Sequence, residues 1–212
     1  MRKYFTLVIM VFLLFTARGQ RFQGGMVLGL AGSQIDGDGY SGYYKPGLEL
    51  GTFADLVLSP YFSLRSGVFM VQKGAHSSAK QPYFKTVVNE VEVPLWINYY
   101  PYTRIGISIG TSFSYIFSAY YHSSYYLSRE DLGIGNMDVD LYFSLNYKFS
   151  PHLTLRAAYR YGMIPITRPI RWECWKQSVY LFWLSAYPGT SKPCWWTNTA
   201  SVSLEFKIGK QK

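Results

Sequence analysis

The sequence predicts an all-β chain: an eight-stranded antiparallel up-and-down transmembrane β-barrel with short periplasmic turns and long outer loops. Three observations carry this expectation. Apolar residues fall at every second position over long stretches, a sorting of side chains that only a strand produces. The phrase "LSPYFSLRSG", which starts at Leu58, returns as "FSPHLTLRAA" from Phe149, so a Ser-Pro turn leading into an alternating strand is used twice, with Arg in the same place. Aromatic residues make up 19% of the 212 residues, with 20 Tyr, against 16% charged residues. That balance fits a wall facing lipid between aromatic girdles.

The first residues read as a targeting segment. Arg2 and Lys3 form a basic region, Phe5 to Phe15 an apolar run too short to span a bilayer comfortably, and Ala17-Arg18-Gly19 a small-x-small cleavage site. Residues 1–19 are therefore expected to be a signal peptide and 20–212 a single outer-membrane β-barrel domain. No Cys follows the apolar run, which favours ordinary signal-peptidase cleavage over a lipid anchor. Without Arg2, Lys3 and Arg18 the chain keeps 18 basic and 12 acidic residues. This modest excess fits a surface near anionic lipid, and export makes nucleic acid an unsuitable partner. Beyond the start no stretch holds 18 consecutive apolar residues, which excludes a transmembrane helix there.

The strands follow in order. The Gly-rich run from Phe22 to Ser33 is the first and the least distinct. In the second, Leu48, Leu50, Ala54, Leu56 and Leu58 oppose Glu49, Gly51 and Asp55; in the third, Phe62, Leu64, Val68 and Met70 oppose Arg65, Gly67 and Lys73. In the fourth, Val87, Val91, Val93, Leu95 and Ile97 oppose Glu90, Glu92 and Asn98. The fifth carries Ile105, Ile107, Ile109, Thr111, Phe113, Tyr115 and Phe117 on one face and Gly and Ser on the other. The sixth has the highest contrast, with Met137, Val139, Leu141, Phe143, Leu145, Tyr147 and Phe149 alternating with Asp138, Asp140, Tyr142, Ser144, Asn146 and Lys148. Such a run suits a tilted membrane strand of about 9–11 residues. The seventh sets Leu153, Leu155, Ala157, Tyr159 and Tyr161 against Thr154, Arg156, Ala158 and Arg160, and the eighth sets Val202, Leu204, Phe206 and Ile208 against Ser201, Ser203, Glu205 and Lys207.

The connections alternate as well. Ser59-Pro60, Tyr100-Pro101-Tyr102-Thr103 and Ser150-Pro151-His152 are tight turns, while about Gln34 to Tyr44, Gly74 to Pro82, Ser118 to Asn136 and Ile164 to Trp196 are long. Short turns at one end and long loops at the other make the turns periplasmic and the loops external. A soluble eight-stranded barrel would show the same alternation with the apolar face inward. Its polar face would be rich in solvated Lys and Glu. Here that face mixes Gly and Ser with charges of both signs, which favours the membrane form.

The phrases "SQIDGDGYSGYYKPGLELG" (Ser33 to Gly51), "VQKGA" (Val71 to Ala75) and "VEVPLWI" (Val91 to Ile97) resemble those of PorT-like outer-membrane β-barrel proteins, and the similarity covers most of the chain after the leader. The resemblance implies a bacterial outer-membrane location and, more weakly, a role beside a secretion apparatus. Two features depart from that pattern: the Cys- and Trp-bearing segment before the last strand, and a C-terminus that continues past Phe206 to Lys212.

An eight-stranded barrel is just wide enough inside for side chains. Glu49, Asp55, Arg65, Glu90, Glu92, Asp138, Asp140, Lys148, Arg156, Arg160, Glu205 and Lys207 are therefore expected to share a confined lumen as a structural ion-pair plug, since unpaired buried charges are costly. A gated ion path is the competing use of the same residues. Paired carboxylates for hydrolysis would need a cleft that this diameter does not leave.

No catalytic, cofactor or metal set is expected. His76 and His122 fall in the outer loops and His152 in a turn, away from a Ser or Asp partner. Asp36-Gly37-Asp38-Gly39 has Tyr40 where a third calcium ligand belongs and no closing Glu, so it reads as a tight turn.

In the last outer loop, Trp172, Trp175, Trp183, Trp195 and Trp196 gather beside Cys174 and Cys194. Export and the lack of zinc-spaced neighbours point to a disulfide, which would either hold the Trp-rich segment as a patch for a partner or the outer leaflet, or shield a long loop from proteolysis. The expected role is a non-enzymatic structural or interaction component of the cell envelope, in contact with outer-membrane lipid and accessory to a secretion or transport complex. A small channel or transporter for ions or small solutes is the alternative.

Overall fold

A computed structural model of the chain describes residues 21–38, 42–77, 83–123, 134–167 and 194–208. It forms a closed barrel of eight strands in sequence order. They are β1 (Arg21–Asp36), β2 (Lys45–Val57), β3 (Phe62–His76), β4 (Phe84–Tyr99), β5 (Ile105–Ser123), β6 (Met137–Lys148), β7 (Leu153–Gly162) and β8 (Trp196–Ile208). Each strand pairs antiparallel with its neighbour, and β1 closes on β8 from Gly24↔Ile208 to Asp36↔Trp196. Closure leaves no edge strand with unpaired backbone groups, a requirement in a medium without water.

The barrel is inside out. Leu48, Leu50, Val93, Leu95, Ile97, Ile109, Phe113, Leu141, Phe143, Val202 and Phe206 are exposed on its outer wall, whereas Glu49, Asp55, Arg65, Glu92, Asp140, Arg156, Arg160 and Glu205 are buried within. So continuous an apolar exterior would be untenable in water and suits hydrocarbon. The closed barrel with its apolar exterior spans a membrane with its strands; no helix among the described residues is long and apolar enough to cross one.

The turns use the expected chemistry. Ser59 Oγ accepts from the Tyr61 and Phe62 amides, and Ser150 Oγ accepts from those of His152 and Leu153. The repeated Ser-Pro phrase is thus one hydroxyl-capped turn built twice.

Several strands run further outward than the sequence alternation indicates. β1 extends to Asp36, β3 to His76 and β5 to Ser123. Residues expected in outer loops, His76 and His122 among them, therefore stand on strand ends. The reason in β5 is a bulge. Opposite Asn89 and Glu90 the register slips by one, pairing Asn89 with Ser118 and Glu90 with Ile116, so Phe117 is the extra residue. Ile116 points inward, as the even positions below it do, but beyond the bulge it is Ala119 that is buried and Tyr120 that is exposed. A strict period of two cannot be followed through such a break.

Candidate functional site

The lumen holds the only dense gathering of chemical groups seen among the described residues. It is layered. At the periplasmic end Arg65 grips Asp55 with both arms of its guanidinium, Nε at 2.6 Å and Nη2 at 2.8 Å, and its Nη1 pairs with Glu205. Glu205 also pairs with Arg156, and Lys207 Nζ lies 3.3 Å from Asp55. A polar chain stands beside these, in which Ser108 donates to Asn98 at 2.7 Å and accepts from Asn146 at 2.7 Å. Lys148, expected in the lumen, is only half-buried and lies 3.4 Å above the Tyr100 ring.

Aromatic rings cross the middle. Trp96 and Tyr142 stack with centroids 3.6 Å apart and planes 6° from parallel, and Phe69 lies 5.5 Å from Trp96. Val27, Phe53, Val71 and Ala158 complete this buried cluster. The guanidinium of Arg156 sits 5.1 Å from Trp96 and that of Arg160 5.2 Å from Tyr142, so the plug is capped by cations on π faces. Glycines leave room for it. A Cβ on Gly110 would come 2.9 Å from Trp96 Cδ1, and one on Gly51 would come 2.8 Å from Phe69 Cγ.

Carboxylates dominate the outer half. Arg160 donates to Glu49 at 2.7 Å, Glu92 at 3.1 Å and Ser201 at 2.9 Å. Lys73, fully buried, has its Nζ 2.6 Å from Glu90 and 3.5 Å from Asp138, and it also pairs with Asp140. Thr197 donates to Asp138 at 2.7 Å. Glu90, Asp138 and Asp140 bring oxygens within 4.8 Å of one another, a spacing a metal could use. The ammonium of Lys73 is the cation that occupies their midst. Above this layer Ile35, Ala75, Phe84, Val88, Ile116, Ala119, Ile166 and Trp195 form a second apolar cluster at the outer end.

The structure therefore brings together Glu49, Asp55, Arg65, Glu90, Glu92, Asp138, Asp140, Arg156, Arg160, Glu205 and Lys207 inside the barrel. Sequence reasoning left Lys73 out of the lumen set, although it had placed the residue on the polar face of its strand. It also passed over Trp96, which shares the inward parity of Glu90, Glu92 and Asn98, and Phe53 and Phe69, which share the inward parity of Asp55 and Arg65. The parity of each residue was the signal available.

The last loop divides. Trp172, Cys174, Trp175 and Trp183 lie outside the described residues. Trp195 and Trp196 are 3% and 2% exposed, so neither belongs to an exposed patch as expected: Trp195 joins the outer apolar cluster and Trp196 packs with Cys194. Gly37 takes a φ of +95°, where Gly is favoured, consistent with a turn after Asp36. Asp36 accepts from Gln34 at 2.9 Å.

No protein-family model and no curated protein matches the chain. Among solved structures it is similar to Neisserial surface protein A (NspA), at 12% identity over 90% of this chain and 100% of that one, with a TM-score of 0.51. Ail, the attachment invasion locus protein of Yersinia pestis, solved with the heparin analogue sucrose octasulfate, aligns at 10% identity over 89% and 99% with a TM-score of 0.49. Outer membrane protein AlkL, determined in lipid bilayers, aligns at 12% identity over 90% and 92% with a TM-score of 0.38. At such identity the likeness to NspA speaks for the fold, that of a small outer-membrane barrel.

Proposed function

We propose that this chain is a non-enzymatic integral protein of the bacterial outer membrane, a plugged barrel that serves the cell envelope as a structural or interaction component. One observation carries the reading: the Trp96–Tyr142 stack crosses the lumen between two layers of ion pairs while the outer wall is apolar. Ion pairs and rings together rigidify the barrel and leave its outer loops to meet partners. The leader at residues 1–19 supplies export. The PorT-like phrases at Ser33 to Gly51, Val71 to Ala75 and Val91 to Ile97 support an accessory place in a secretion or transport complex.

The last outer loop is the proposed partner-facing element. A Cys174–Cys194 bridge would close about twenty residues, worth about 3 kcal/mol in the chain-entropy view, and would hold Trp172, Trp175 and Trp183 in one preorganised segment. Mass spectrometry of unreduced peptides should find the bridged pair. Free thiols at both positions would remove the loop from this reading.

Planar-bilayer recording of the refolded protein tests the plug. No stepwise conductance is expected from the wild type, and Tyr142→Ala with Trp96→Ala should introduce it. Conductance in the wild type would instead favour the channel reading. Recovery of a stable partner after solubilising native membranes would name the interaction.

A further inference from the structure

The outer ends of β3, β4 and β5 carry polar residues where the apolar wall stops. Three outward-facing rows lie across these strands in register. Gln72, Asn89 and Ser118 form the first, through Gln72↔Asn89 and Asn89↔Ser118. Gly74, Val87 and Tyr120 form the second, and His76, Lys85 and His122 the third. Directly opposed residues in antiparallel strands hold their Cβ atoms about 5 Å apart, so each row is continuous.

Depth places these rows at the membrane surface. Tyr99 marks the periplasmic end of β4, and Asn89 stands ten residues further along it. At ~3.4 Å per residue and a tilt of ~40°, that distance spans about 26 Å of the bilayer normal, the height of the apolar band. The row of Gln72, Asn89 and Ser118 thus sits where hydrocarbon ends, and His76, Lys85 and His122 stand about 10 Å above it, among headgroups.

The chemistry is that of an anion receptor. Lys85 has no ion-pair or hydrogen-bond partner among the described residues, and no carboxylate pairs with His76 or His122 there. Tyr83 stands between the two imidazoles, with its ring 5.8 Å from His76 and 5.4 Å from His122, edge-on to both. Beneath the row, the buried Lys45 donates to the Pro46 carbonyl at 2.5 Å and to Gln72 Oε1 at 3.1 Å. Gln72 in turn donates to Asn89 at 3.0 Å.

The β5 bulge completes the arrangement. Without the extra Phe117, the even parity of Ser112, Ser114 and Ile116 would turn Tyr120 and His122 into the lumen; with it, both face outward. Gly74 keeps β3 close to β4 beneath the row, since a Cβ there would come 2.9 Å from the Thr86 carbonyl carbon. We infer that this rim of Lys85, His76 and His122 binds the phosphate of an anionic lipid headgroup in the outer leaflet.

The inference rests on the membrane-spanning reading, and the test separates the two. The full chain is inserted into zwitterionic nanodiscs, offered equal amounts of bisphosphorylated lipid A and the same glycolipid without phosphates, and weighed by native mass spectrometry. Failure to insert would break the membrane reading itself. The wild type should retain the phosphorylated form in an excess of about fivefold or more, the worth of one basic residue near an anionic surface. Lys85→Gln and the double variant His76→Gln with His122→Gln should each lose most of that preference, Lys85→Arg should keep it, and Arg104→Gln at the periplasmic end should leave it unchanged. An inserted wild type without preference, or equal loss on Arg104→Gln, overturns the inference. So does release of the lipid by inorganic pyrophosphate as readily as by added lipid A, which would make the site a receptor for soluble anions.

Discussion

The two halves of the lumen use the same residue types in opposite balance. At the periplasmic end Arg65, Arg156 and Lys207 face Asp55 and Glu205, whereas in the outer half Lys73 and Arg160 face Glu49, Glu90, Glu92, Asp138 and Asp140. In the first half every acid has more than one cation. In the second, one ammonium is shared by Glu90, Asp138 and Asp140. Arginine forks bind carboxylates in fixed pairs, while a lysine acts as a point charge that several acids can surround. The periplasmic layer is therefore redundant, whereas the Glu90, Asp138 and Asp140 cluster of the outer half depends on the single ammonium of Lys73.

The most damaging way to test that contrast is to remove the central cation of each half. Lys73→Met strands three carboxylates and should cost the upper end of the about 3–5 kcal/mol typical of a broken buried pair. Arg65→Met should fall at or below the lower end, because Arg156 still holds Glu205 and Lys207 still holds Asp55. Urea titration of unfolding in bilayers measures both. Lowering the pH to about 4, where carboxylates begin to take up protons, should recover much of the Lys73→Met loss and little of the Arg65→Met loss. Equal losses with equal recovery would show that the halves do not differ as described.

A smaller change probes the boundary between them. Gly110→Val puts a branched side chain against Trp96 and should cost about 1–3 kcal/mol by overpacking, read by the same titration and by quenched stacking of Trp96 in near-ultraviolet circular dichroism. An unchanged signal would mean that the ring plug has slack. The smallest expected effect lies in the polar chain at the periplasmic end. Asn98→Ala removes the acceptor of Ser108, the donor to Ser63 and a long 3.5 Å hydrogen bond to Asp55 and should cost about 1 kcal/mol at neutral pH. A loss as large as that of Lys73→Met would place the critical layer at the wrong end.

Much of the barrel was legible because a strand sorts side chains by parity. Leu141 and Phe143 against Asp140, Tyr142 and Ser144 already told which face met lipid, and the burial of those residues agrees. The alternation stopped being readable where its period broke. Phe117 shifts the phase of β5, so residues from Ser118 to Ser123 looked like loop although they are strand. For the same reason a His that stands on the outer wall at position 122 seemed to belong to a loop.

The candidate site shows the same division. Sequence alone determined the strand number, the alternation of turns and loops and the presence of charges of both signs on the inward face, because each follows from local periodicity and turn chemistry. It could not say that Arg160 would reach Glu49 and Glu92, that Lys73 would stand among three acids, or that Trp96 would stack on Tyr142. Those partners come from different strands, and only the closure and stagger of the barrel set which of them share a level. Trp195 and Trp196 make the point most sharply: composition marked them as a surface patch, and the fold buries both, Trp195 in the apolar cluster at the outer end of the lumen and Trp196 against Cys194.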